Sequence, residues 1–127
     1  MIVVDASAAV LGLLSAGEAR RVLAEASVAV PHLIDSEVAN ALRRRVLAGD
    51  VGAEDAGVAL ARWSRLGVRR FAAAGHLDRV WRLRDNLSAY DATYVALAEA
   101  LECELVTADA RLGGAPGPTC SITVLRG

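Results

Sequence analysis

The chain has 127 residues with 14 basic and 15 acidic side chains, a net charge of -1, 54% hydrophobic residues and a mean hydropathy of +0.37. That length supports one buried core, hence a single domain over residues 1–127, and the near-zero charge excludes a protein that coats nucleic acid by bulk attraction. No apolar run is long enough to cross a bilayer, and the first basic residue is Arg20, so a secretory leader fits poorly and the expected compartment is the cytoplasm, with no membrane association.

In chain order, Ile2 to Val4 reads as a β-strand that runs into Asp5 and then into a small-residue stretch of helical character. A second strand is predicted at Val28 to Val30. The helix predicted from Asp35 to Ala48 sets Val38, Ala41 and Leu42 on one face and Glu37, Asn40 and Arg44 on another. From Glu54 to Leu66 an apolar stripe of Ala56, Ala59, Leu60, Trp63 and Leu66 predicts a further helix, with acids at its start, arginines near its end and Gly67 as its stop. A strand at Val68 to Phe71 and a helix from about His76 to Arg84 follow, the latter with Leu77, Val80 and Trp81 as its inner face. The segment Ala89 to Leu101 is apolar nearly all round, as suits a helix wedged against a sheet. Glu104 to Thr107 and Ile122 to Val124 complete the strands, separated by a loop at Gly113 to Thr119.

Strands alternating with helices imply an α/β fold: a short central parallel sheet of about five strands with helices on both faces. Ligands of such sheets bind at the carboxyl ends of the strands, where the strand order reverses. Asp5, Glu37, Asp91 and Asp109 each fall at a strand end or in a first helical turn. Taken singly, each has an ordinary explanation. Asp5 or Ser7 can cap a helix, Glu37 can favour a helix dipole, Ser88 with Asp91 forms a capping-box pattern, and Asp109 suits a turn.

Brought together they need neutralising, because two like charges about 5 Å apart cost roughly 3 kcal/mol at an effective dielectric near 20. Lysine cannot serve, since all 14 basic residues are arginine. A hard divalent cation, Mg2+ or Mn2+, suits an all-oxygen donor set and supplies hydrolytic chemistry on phosphate esters. Zinc does not fit, because His32 and His76 are isolated and Cys103 and Cys120 lack ligand spacing. The two thiols are expected to be reduced and buried.

The stretches "MIVVDASAAV", "HLIDSEVANALRR", "LSAYDATYVALAEAL" and "LVTADARL" resemble, in order, the four acidic motifs of PIN-domain ribonucleases. The resemblance is closest to the VapC toxins of bacterial toxin-antitoxin pairs, and it spans the chain from Ile2 to Leu125. It implies a PIN-like nuclease domain: a divalent-metal endoribonuclease that hydrolyses RNA to 5′-phosphate and 3′-hydroxyl products and is silenced by a VapB-type antitoxin. Asp5 and Asp91 are the implied direct metal ligands, with Asp109 and Glu37 completing the site, and Ser7 and Thr107 are implied supports. A homodimer is implied too, with DNA met only through the antitoxin.

Arg43, Arg44 and Arg45 beyond Glu37, and Arg79, Arg82 and Arg84 before Asp91, are candidates for contact with RNA or antitoxin. Trp63 and Trp81, on apolar stripes, read as core or interface. Two other readings compete: a catalytically silent PIN-like binding module, and a phosphoacceptor receiver domain. The receiver needs a lysine that this chain lacks. A haloacid-dehalogenase-like phosphatase fails as well, since "DAS" stands where its Asp-x-Asp belongs.

Overall fold

The computed structural model describes residues 1–126. Its strands are β1 (Ile2–Val4), β2 (Val28–Pro31), β3 (Arg69–Phe71), β4 (Leu105–Thr107) and β5 (Ile122–Val124). They form one sheet in the order β3-β2-β1-β4-β5, with every pairing parallel. The helices are α1 (Ala6–Leu14), α2 (Glu18–Glu25), α3 (Ile34–Leu47), α4 (Ala53–Arg65), α5 (Leu77–Arg82), α6 (Ala89–Ala100) and α7 (Ala110–Gly113).

This order explains where a site can form. From β1 the chain steps outward through β2 to β3, then returns across the sheet to β4 and continues outward to β5. With right-handed crossovers, α1 to α4 lie on one face and α5 and α6 on the other, and the order reverses between β1 and β4. The packing agrees: α1 meets α2, α3 and α4, while α6 crosses β1, β2 and β4 with α5 beside it. Asp5 leaves β1 and Asp109 follows β4, so both stand at the reversal point.

Composition fits position. Val3 and Val4, Ala29 and Val30, and Leu105 and Val106 are buried in the three inner strands, as strands covered on both faces require. The outer strand β3 carries Arg69 and Arg70, with the Arg69 guanidinium 5.5 Å from the Phe71 ring centre, and these charges blunt an open edge. Ala92 through Ala98 of α6 are all buried, which accounts for the helix being apolar on every side. Between α1 and α2 the chain turns at Gly17, whose φ of 144° is open to glycine alone. Gly12 permits the close packing of these two helices, since a Cβ there would lie 2.7 Å from Leu23 Cδ1 and 3.0 Å from the Ala19 carbonyl.

Two predicted features differ from the structure. The His76 to Arg84 segment opens with a 3-10 turn over Ala74–His76, and α5 starts only at Leu77. That change of period rotates the apolar face: Val80 and Leu83 are buried, whereas Leu77 is 56% and Trp81 67% exposed. Trp81 is therefore not core, and Arg84 stacks on it at 4.8 Å. In α4, Leu60 lies partly in solvent, while Ala56, Ala59 and Trp63 are buried as the stripe predicts. Cys103 and Cys120 are free and half-buried, and burial pushes both thiols up. Among the described residues no helix is long and apolar enough to cross a membrane.

Candidate active site at the strand reversal

Asp5 is the most enclosed of the four acids, at 6% exposure. Its backbone N–H continues the ladder by donating to the Val106 carbonyl at 3.1 Å, which fixes the residue at the carboxyl end of β1. One carboxylate oxygen caps α1, accepting from the Ala8 N–H at 3.0 Å and from the Ser7 hydroxyl at 2.6 Å. The other accepts from the Thr107 hydroxyl of β4 at 2.5 Å. So the helix-cap role is real, and a second strand also grips the same carboxylate.

Ser7 and Thr107 extend this network. The Ser7 oxygen accepts from the Ala108 N–H at 2.9 Å, and the Thr107 oxygen accepts from the Asp109 N–H at 3.0 Å. The turn after β4 is thereby shaped by the hydroxyls that hold Asp5. Asp109 caps α7 by accepting from the Arg111 N–H, and its carboxylate is forked by the exposed Arg111 guanidinium at 3.2 and 3.0 Å. That guanidinium holds the Asp109 carboxyl below its usual range.

Glu37 projects from the first turn of α3 and accepts from the Tyr94 hydroxyl of α6 at 2.5 Å. Asp91 lies in the first turn of α6, where its N–H donates to the Ser88 side chain at 3.1 Å. Burial raises the pKa of both carboxyls, and neighbouring charge raises it further: Asp91 and Asp5 act on Glu37, and Asp109 and Asp5 act on Asp91. Tyr94, buried beside them, is likewise raised, first by burial and then by Glu37. Asp5, Glu37 and Asp91 are thus near enough for charge to act between them, as are Asp91 and Asp109, beyond the carboxyl ends of the inner strands β1 and β4.

Gathering is not yet coordination. Among the described residues no group of three or more His, Cys, Asp or Glu side chains is already arranged to hold a metal ion. Three of the four acids are turned toward donors instead: Asp5 to three, Glu37 to Tyr94, and Asp109 to Arg111. The donor chemistry nevertheless fits a hard cation. Every oxygen is a carboxylate or hydroxyl, and of the four acids only Asp109 has a basic side chain bonded to it.

Other predicted contacts are sorted by the structure. Arg79 forks Glu99 at 2.6 and 3.0 Å and also reaches the Gly117 carbonyl, so it braces α5 and a loop. Arg84 donates to the Trp81 carbonyl and stacks on its ring. Arg43, Arg44 and Arg45 are exposed on α3, and Arg44 is near enough to favour the charged form of Glu37. Two members of the site escaped the sequence: Tyr94, one turn beyond Asp91 on α6, and Arg111, two residues after Asp109.

The raised Asp91 carboxyl gives a signed expectation. Between its unfolded pKa, near 4, and its higher folded value, the folded chain keeps a proton that the unfolded chain releases, so stability falls as pH rises through that interval. Asp91→Asn should therefore gain on wild type in thermal midpoint as pH goes from 4 to 7 in chelator. A difference that is flat or reversed would contradict the assignment. Asp35 and Asp109, with lowered values, act in the opposite direction, which is why the comparison is made against wild type.

Comparison with known proteins identifies the lineage. Residues 2–117 match the PIN domain family. Ribonuclease VapC9 of Mycobacterium tuberculosis is 54% identical over 125 residues, covering 98% of each chain. Among solved structures, PAE2754 from Pyrobaculum aerophilum superposes with a TM-score of 0.74 at 24% identity, over 95% of this chain and 81% of that one. The VapBC2 complex of Rickettsia felis, bound to a DNA fragment from its promoter, gives 0.68 at 15% identity over 99% of this chain and 100% of that one. The sheet order, the acids at its reversal and a near full-length relative at this identity together make the chain a member of the PIN domain family, in the VapC group.

Proposed function

We propose that the protein is a divalent-cation-dependent endoribonuclease acting as the toxin of a VapBC pair. What supports this most is that acids from four segments, Asp5, Glu37, Asp91 and Asp109, lie near enough for the charges of Asp5, Asp91 and Asp109 to raise the proton affinity of Glu37 or Asp91, while among the described residues Asp109 alone of the four is bonded to an arginine. When bound, Mg2+ or Mn2+ supplies a Lewis acid for a phosphoryl oxygen and lowers the pKa of an attached water. Asp5 and Asp91 would hold the ion, with Asp109 and Glu37 completing its surroundings.

The remaining residues prepare that arrangement. Ser7 of α1 and Thr107 of β4 fix the Asp5 carboxylate from two elements, so its charge needs little reorganisation. Tyr94 donates to one Glu37 oxygen and leaves the other free. No side chain has to act as a covalent nucleophile, and hydrolysis would leave a 5′-phosphate and a 3′-hydroxyl. A VapB-type antitoxin is the proposed silencing partner, with promoter DNA reached only through it. A homodimer is the proposed resting assembly, and exposed Leu77, Trp81 and Tyr90 are apolar surface that such contacts could cover.

Metal removal separates this reading from a silent binding module. Chelator-treated protein should leave single-stranded RNA intact, and added Mg2+ or Mn2+ should restore cleavage with 5′-phosphate ends. Equal cleavage in chelator, or none under any cation, would reject the proposal.

A further inference from the structure

Beside the acids lies a cavity of about 540 Å³ between α3, the start of α1 and the segment after β5. Its lining includes Ser7 and Ala108 together with Arg44, Arg45 and Arg126. We propose that these three arginines form a phosphate-gripping subsite for single-stranded RNA, holding the strand on one flank of Asp5. The cleavage readout below rests on the nuclease reading; the binding readout does not.

What sets these three arginines apart is that they line one cavity, next to Ser7, without an ion pair among the described residues to neutralise them. Arg70, Arg79 and Arg111 each face a carboxylate, Asp35, Glu99 and Asp109 respectively. Among the described residues, Arg44, Arg45 and Arg126 have no such partner, and all three are exposed. Three like charges around one cavity repel one another until an anion enters. Guanidinium forks suit phosphate oxygens, and a strand of phosphates satisfies several forks at once.

The cavity is also joined to the acidic site. The Ser7 hydroxyl in its lining donates to Asp5 at 2.6 Å and accepts from the Ala108 N–H at 2.9 Å. A strand lying along the arginines thus arrives directly beside Asp5. The lining also includes the apolar side chains of Leu11 and Val124, which offer a surface for the face of a base. An acidic protein segment is the other polyanion that could enter, and the experiment distinguishes it.

The test is the affinity of metal-free protein for a short fluorescein-labelled single-stranded RNA, measured by anisotropy across a salt series in chelator. The variant R44Q/R45Q/R126Q is compared with R21Q/R62Q/R65Q, which removes equal charge from α2 and α4. The first should lose at least about tenfold in affinity, and its salt slope should become shallower by about 2, some 0.7 for each lost phosphate contact. The second should change little. Equal losses in both, or no loss in the first, would overturn the subsite.

With cation present, the first variant should show a raised KM and a nearly unchanged kcat; a lowered kcat at unchanged KM would overturn a positioning role. If that variant keeps its RNA affinity but escapes inhibition by antitoxin, the groove belongs to the protein partner and the proposal falls. If wild type binds RNA through these arginines yet never cuts it, the subsite stands and the nuclease reading fails.

Discussion

Asp5→Asn is expected to lower RNA cleavage by about 10²–10³-fold while leaving the fold intact. Asparagine has the shape of aspartate, so an amide oxygen can still cap α1 through the Ala8 N–H. Its NH2 group then meets the Thr107 or Ser7 hydroxyl, and either hydroxyl can turn to accept. What disappears is the negative charge at the strand reversal, together with the affinity for a cation that this charge provides. Cleavage of a quenched fluorescent RNA and the thermal midpoint should be read on the same preparation. Activity within a fewfold of wild type would remove Asp5 from the site. A collapsed midpoint would assign it a structural role, which Asp91→Asn, whose carboxylate is not built into a strand pair, would then separate from catalysis.

The second large effect concerns stability. Trp63→Ala should cost about 3–5 kcal/mol, a large part of the roughly 5–15 kcal/mol available to a domain of this kind. Trp63 is 2% exposed, and its indole N–H donates at 2.8 Å to Asp35, which Arg70 forks at 2.8 and 2.9 Å. This contact joins α3, α4 and β3. The ion pair contributes little, because both partners are partly in solvent; the buried ring carries the effect. Urea unfolding followed by circular dichroism is the appropriate measure, since the remaining tryptophan, Trp81, already lies in solvent. Trp63→Phe keeps most of the ring and should cost far less. A Trp63→Ala loss under about 1 kcal/mol would contradict the packing argument.

Much of this architecture could be read before the structure was seen, for identifiable reasons. Short β-branched runs have few alternatives once helices flank them, so all five strands fell within about a residue of their predicted places. The charged ends of α4 and the wholly apolar α6 were equally plain. Asp5 and Asp109 stood out because parallel strands point their carboxyl ends one way.

Other features depended on distance or phase. The Tyr94 to Glu37 bond spans 57 residues between two helices, and nothing local marks it. Arg79 looked like its neighbours until Glu99 and Gly117 were brought beside it. Trp81 was misplaced because a 3-10 turn precedes α5, and six helical residues are too few to fix an apolar face by period alone. The hydroxyl network around Asp5 depends on β1 and β4 being neighbours, a topological fact that periodicity does not encode.

Anomalous diffraction from crystals grown with Mn2+ decides whether these acids close around one hard cation. A manganese peak is expected between the carboxylates of Asp5 and Asp91, with Asp109 or Glu37 approaching it directly or through water. Crystals saturated with Mn2+ in which that position holds no peak, or in which the acids remain bonded only to Tyr94, Arg111 and the α1 cap, would contradict it.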